Sequence, residues 1–198
     1  MIEMDLSSQP DIDGRKRLYV DEMSRSLRVK RLIWGGVYFL FFRPTPRFCL
    51  EKWRLFLLRA FGAKIGHGSR VAPSCTVWAP WNLTMGNYAC LADGVDCYSI
   101  APISLGDYST VSQRSFLCSA SHDPYLLERP LFAKPISIAS HAWVCAEAFI
   151  GPGITVAEGA VVGARAVVVK NVEPWTIVAG NPARLIKKRV IERRYNAQ

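Results

Sequence analysis

The 198 residues predict a mainly β chain wound as a parallel β-helix, and three observations carry that prediction. Aliphatic side chains recur every six residues. Ile65, Val71, Val77 and Leu83 set the rhythm, and after a shift of two it resumes at Met85, Leu91, Cys97 and Ile103. A second shift gives Leu105, Val111 and Leu117; beyond a longer interruption Ile138, Val144, Ile150, Val156, Val162 and Val168 keep step. Of these 17 positions 16 are aliphatic or Met, so one kind of side chain fills the inward site of each repeat. The next residue is Gly, Ala, Ser, Thr or Cys at 14 of the 17, as needed where a strand bends at a corner. Finally, the spacing excludes a sandwich, whose strands come at about 8–12 residues with variable turns. Three short strands per coil, about 18 residues, account for the sixes. On that count residues 65–119 supply about three coils and residues 136–179 rather more than two.

The elements follow in order. Residues 1–24 form a polar lead whose first 13 positions hold four acids and no base. Residues 25–62 read as an amphipathic helical segment. Its apolar run, residues 32–42, is 11 long and flanked by Lys30, Arg31 and Arg43, whereas a spanning helix needs about 20. The run is therefore expected to pack as a cap or, through residues 27–61, to lie in a membrane interface. Pro44 and Pro46 end the first helix, and residues 48–61 form a second, closed by Gly62. Residues 63–183 make the coil domain, with a loop extruded over 119–135 where the rhythm breaks. Residues 184–198 read as a short basic C-terminal helix or tail. The six cysteines come without a CxxC pair or a secretory leader, and several occupy small-residue positions, so reduced, buried thiols in a cytoplasmic protein are expected.

The net charge of +9 is segregated. Residues 14–64 carry +10, the coils over 65–183 carry −2, and residues 184–198 carry +5. Nucleic acid is excluded as a partner, because the aromatics gather in an apolar run and at coil corners instead of interleaving with bases on one basic face.

Chemistry narrows to few residues. Only His67, His122 and His141 can supply an imidazole. Their spacings of 55 and 19, with no Cys cluster to replace them, argue against a metal centre. His122 stands where the coil gives way to the loop, a position suited to general-base work, and a neutral imidazole near pH 7 matches that task. Cys118 lies close enough to suggest a thiol nucleophile, but its small-residue position marks it as packing. His67 reads as a surface residue; His141, beside Trp143, reads as groove lining or solvent-exposed. Asp123 and Glu147 are candidate partners for His122. Asp93, on residue pattern alone, reads as an ordinary turn aspartate.

Four stretches resemble the hexapeptide-repeat acyltransferases, in particular the colanic acid biosynthesis acetyltransferases near the maltose and nodulation-factor O-acetyltransferases. They are FRPTP at 42–46 with WR at 53–54 and LRAFGAKIG at 58–66, WAPWNL at 78–83, SQRSFLCSASHD at 112–123, and PWTIVAGNPAR at 174–184. The resemblance spans residues 25–190. It implies a left-handed coil and acetyl-CoA-dependent O-acetylation of a sugar hydroxyl in exopolysaccharide or surface-polysaccharide synthesis. It further implies direct transfer with His122 as base, Asp93 at the acceptor, and no metal. Ala146 and Ala164 would line the pantetheine groove, Val169 and Lys170 lie further along it, and Arg184 and Lys187 sit near the nucleotide phosphates. Thr often stands at the position of Val169, so a hydroxyl contact is lost here. A homotrimer with sites between its prisms, in the cytoplasm or on the inner membrane face, is also implied. The alternative acceptors are a small free sugar, an antibiotic or an amine; a non-catalytic β-helix is the alternative of another class.

Overall fold

The computed structural model describes residues 24–127 and 129–191. Apart from Ser24, the polar lead lies outside them, as does the basic tail beyond residue 191. Helix α1 spans Arg25–Val37, capped by Ser24, whose hydroxyl accepts from the Leu27 amide at 3.3 Å. It runs directly into a π-helical turn, Tyr38–Phe42. Helix α2 spans Glu51–Ala60 and starts from Leu50 in a left-handed conformation, φ 61°. The two prolines between them enforce the break.

From Lys64 the chain turns into short strands on three faces of a prism, each paired in parallel with the strand one coil on. Ile65 pairs with Met85 and Met85 with Leu105, so these first coils are 20 residues long. Ile138 pairs with Val156, and that coil has the expected 18. The two additional residues explain the shifts in the rhythm. First-face strands Leu83–Met85 and Ile103–Leu105 turn both ends inward, and an added 3-10 turn, Pro80–Asn82, rounds one corner. Asn82 secures it by donating to the carbonyls of Ser99 and Ile100 at 2.9 and 2.7 Å. The inward side chains form one continuous core in which Leu91, Cys97, Val111, Leu117, Val144 and Ile150 are fully buried.

Both ends of the prism are closed. Arg54 of α2, only 2% exposed, donates from Nε to the Val71 carbonyl and from Nη1 to Thr45 and the carbonyls of Pro46 and Cys49. Trp34 of α1 donates to the Val77 carbonyl at 2.7 Å and packs against Phe42 and Phe61. Half of each helix is thus a cap.

The other end departs from expectation. Residues 184–188 are not helical: Arg184–Lys188 is a strand, antiparallel to Thr176–Ala179 with a bulge between Ile177 and Val178. The last coil leaves an open row of backbone donors and acceptors, and pairing with it outweighs the weak helical preference of a five-residue stretch. Arg189 then fastens the segment by donating to the carbonyls of His141 and Gly159.

Candidate active site

After Cys118 the chain leaves the prism as an antiparallel hairpin, with Ala120–His122 paired to Leu131–Ala133. Its return is anchored by the Lys134 amide on the Ser119 carbonyl at 2.8 Å. His122 ends the outgoing strand, exposed, with Nδ1 2.6 Å from the Arg129 carbonyl oxygen. A carbonyl can only accept, so Nδ1 is the donor in this contact, and in the neutral tautomer that makes it Nε2 is the basic nitrogen. The hairpin thereby sets which ring nitrogen of His122 donates.

Each candidate carboxylate has partners of its own. Asp123 accepts from the Tyr125 amide at 2.9 Å, an Asx turn at the hairpin end. Glu147 belongs to another corner, clamped between Arg114 and Arg165. Cys118 packs in the wall with Sγ 3.0 Å from the Ala120 carbonyl, and burial pushes its thiol up. Burial also pushes the Cys97 thiol up to about 12. These are poor nucleophiles near neutrality.

Asp93 lines a cavity of about 520 Å³ under α2, together with Arg47, Phe48, Arg70, Ser112 and Gln113. Its carboxylate meets Arg47 at 3.0 Å and accepts from Ser74 at 3.0 Å. Asp93 sits on the corner between the second and third faces, whereas the hairpin leaves from the far end of the third face. One chain does not bring them together.

The groove residues divide in the same way. Ala146 and Ala164 stack on the second-to-third corner one coil apart, where the Arg165 amide donates to the Ala146 carbonyl at 3.0 Å. Val169, Lys170 and Arg184 meet at the other end of the third face, around a cavity of about 360 Å³ that Asn171, Thr176 and Ala183 also line. Lys187 lies on the terminal strand opposite Ile177 and is exposed.

His67 and His141 belong to a surface column. Tyr88 and Tyr108 stack at 5.0 Å, His141 stacks on Tyr108 at 5.3 Å, and His67 meets Tyr88 edge-on. Tyr88, Tyr108 and His141 have positive φ, and the glycines at the column's ends make room for rings. A Cβ on Gly68 would lie 2.5 Å from the Tyr88 ring, and one on Gly159 2.5 Å from that of Trp175. His141 is therefore exposed and stacked on the column. Among the described residues no three His, Cys, Asp or Glu side chains gather where they could hold a metal ion.

Sequence reading missed Arg47 as the partner of Asp93, because 46 residues separate them and no local pattern links them. It also missed the hydrogen bond from Trp143 Nε1 to Ser112 Oγ, 2.9 Å, which joins adjacent coils on the second face.

Comparison with known proteins bears on what this arrangement does. No family model matches the chain. It is 40% identical over 162 residues to the "Putative colanic acid biosynthesis acetyltransferase WcaF" of Escherichia coli (strain K12), covering 82% of this chain and 88% of that one. Among solved structures it superposes, with TM-score 0.76 and 25% identity, on a hexapeptide-repeat acetyltransferase of Vibrio cholerae O1 biovar eltor complexed with acetyl-CoA, covering 86% and 93% of the two chains. A maltose O-acetyltransferase of Clostridium difficile 630 shares the fold with TM-score 0.72 at 24% identity, over 85% and 90%. Stacked hexapeptide coils, a hairpin that presents a histidine, and identity sustained along most of both sequences place this chain in the hexapeptide-repeat acetyltransferase family.

Proposed function

We propose that the enzyme transfers the acetyl group of acetyl-CoA directly to a sugar hydroxyl during exopolysaccharide or surface-polysaccharide synthesis. The observation that carries the chemistry is the contact of His122 Nδ1 with the Arg129 carbonyl. With the proton on Nδ1, Nε2 is the basic nitrogen that takes the acceptor's proton as the hydroxyl oxygen bonds to the thioester carbonyl carbon. The C–S bond then breaks, and the imidazolium returns the proton to the departing thiolate. The displaced group leaves as CoA thiol, and no acyl-enzyme forms.

Donor binding is supported by the residues present. Ala146 and Ala164 leave space beside exposed backbone for an amide-bearing arm. Lys170, Arg184 and Lys187 supply cations for phosphates. Asp93, its carboxylate fixed by Arg47 and Ser74, retains lone pairs for acceptor hydroxyls. The separation of Asp93 from His122, and of the two alanines from Lys170, along the third face supports a homotrimer in which neighbouring prisms complete each site. The same reading puts the enzyme in the cytoplasm, with peripheral contact at the inner face of the membrane through residues 27–61.

His122→Ala should lower turnover about a thousandfold while leaving acetyl-CoA affinity, measured by calorimetry, nearly unchanged. Persistent turnover would remove His122 as the base. Assaying simple soluble sugars beside a lipid-linked oligosaccharide identifies the acceptor class. The proposal expects poor activity until the lipid-linked acceptor is supplied.

A further inference from the structure

The helical segment has two apolar stripes, and only one has a partner within the described chain. Trp34 and Phe42 face the coils, at 2% and 0% exposure. On the opposite side of α1, Val29, Leu32, Ile33, Gly36 and Leu40 recur at i, i+3, i+4, i+7 and i+11, the spacing of one helical face. Leu32 is 77% exposed and Leu40 62%. Phe39 and Phe41 widen the stripe. Trp53, donating to the Phe41 carbonyl at 3.0 Å and stacked on Phe56, carries it onto α2. An apolar surface of this continuity marks an interaction site.

Its charge identifies the partner. Residues 24–61 hold nine Arg and Lys against a single acid, Glu51. Exposed Arg25 and Arg43 lie near the two ends of the apolar stripe. Residues 25–42 make a helix about 27 Å long. Among the described residues no helix is long and apolar enough to cross a membrane. We propose that this face lies flat in the headgroup plane of an anionic lipid bilayer, with Leu32, Ile33, Leu40 and the neighbouring phenylalanines at the acyl boundary and the flanking arginines on lipid phosphates. A second copy presenting the same face would bring exposed Arg25 and Arg43 against like charges. This gives the membrane contact inferred above its surface and its lipid class, and it stands apart from the reading of the reaction.

The test is co-sedimentation of the full chain with phosphatidylcholine vesicles and with vesicles that also contain phosphatidylglycerol. Binding should require the anionic lipid and weaken as salt is raised. The double variant Leu32→Ser/Leu40→Ser should bind at least about tenfold more weakly. Arg25→Gln and Arg43→Gln should each weaken binding about fivefold. All three should keep the wild-type melting temperature, oligomeric mass and acetyl-CoA affinity, since these side chains support no core. Three results would overturn the proposal: no sedimentation of wild type with anionic vesicles, equal sedimentation with neutral ones, or a double variant that still binds. A change of oligomeric mass in the double variant would assign the face to another copy instead. Loss of acetylation with vesicle binding intact would count against the catalytic reading alone.

Discussion

Arg54 is the most deeply buried charge that joins the N-terminal segment to the coils. Arg54 donates to four acceptors drawn from α2's lead-in and the first coil, and none is a carboxylate. Removing it strands those acceptors in a dry site, so Arg54→Met should cost about 3 kcal/mol or more, read from urea unfolding. Arg54→Lys should recover little, because a compact ammonium cannot span the acceptors a planar fork reaches. The motif around Trp53 and Arg54 was visible in the sequence, but the burial was not. A lone arginine on an amphipathic helix is expected in solvent, and only the arrival of Val71 reverses that. His122 shows the same division. Its place where the repeat breaks was legible, whereas its tautomer depends on Arg129, seven residues on, across a hairpin whose pairing has no signature in single residues.

Among the elements, the coils were the most legible because one constraint recurs in phase. Even the surface column obeys it: Tyr88, Tyr108 and His141 each follow an inward residue (Met85, Leu105, Ile138) by three. The terminal segment was not, since an open sheet edge decides its state and that edge belongs to residues 176–179. On the neighbouring corner the rungs are charged. Hydrogen bonds from Arg114, then Arg165, hold the Glu147 carboxylate below its usual range. A carboxylate with a lowered native pKa stabilises the fold above its unfolded value, and that contribution is lost as pH falls through the native value. Glu147→Gln should therefore melt below wild type at neutral pH, and the gap should close as pH drops through and below the ordinary carboxylate range. Melting temperatures across a pH series check this; a gap that widens in acid would contradict it.

At the scale of the whole molecule, a stack of parallel coils has two open ends, and this chain closes both, with helices at one and a reversed strand at the other. Ending the chain after Ala183 should uncover the edge of the second face and produce concentration-dependent aggregation, measured by light scattering. The charge segregation fits the same plan, with +10 on residues 14–64, +5 on residues 184–198, and coils of −2 between. The coil pairing has one more consequence, which is metrical. α2 abuts the first coil, and the histidine hairpin leaves from the third. Each coil advances the axis by one strand spacing, about 4.8 Å. The distance from the helical cap to His122 is therefore set on a ruler graduated in whole rungs. Duplicating residues 86–105 would raise the hairpin by one graduation while every inward side chain kept a neighbour of its own kind. An insertion of six residues would instead turn the hairpin to a different face, so the hairpin keeps its face along the axis only when complete turns are added.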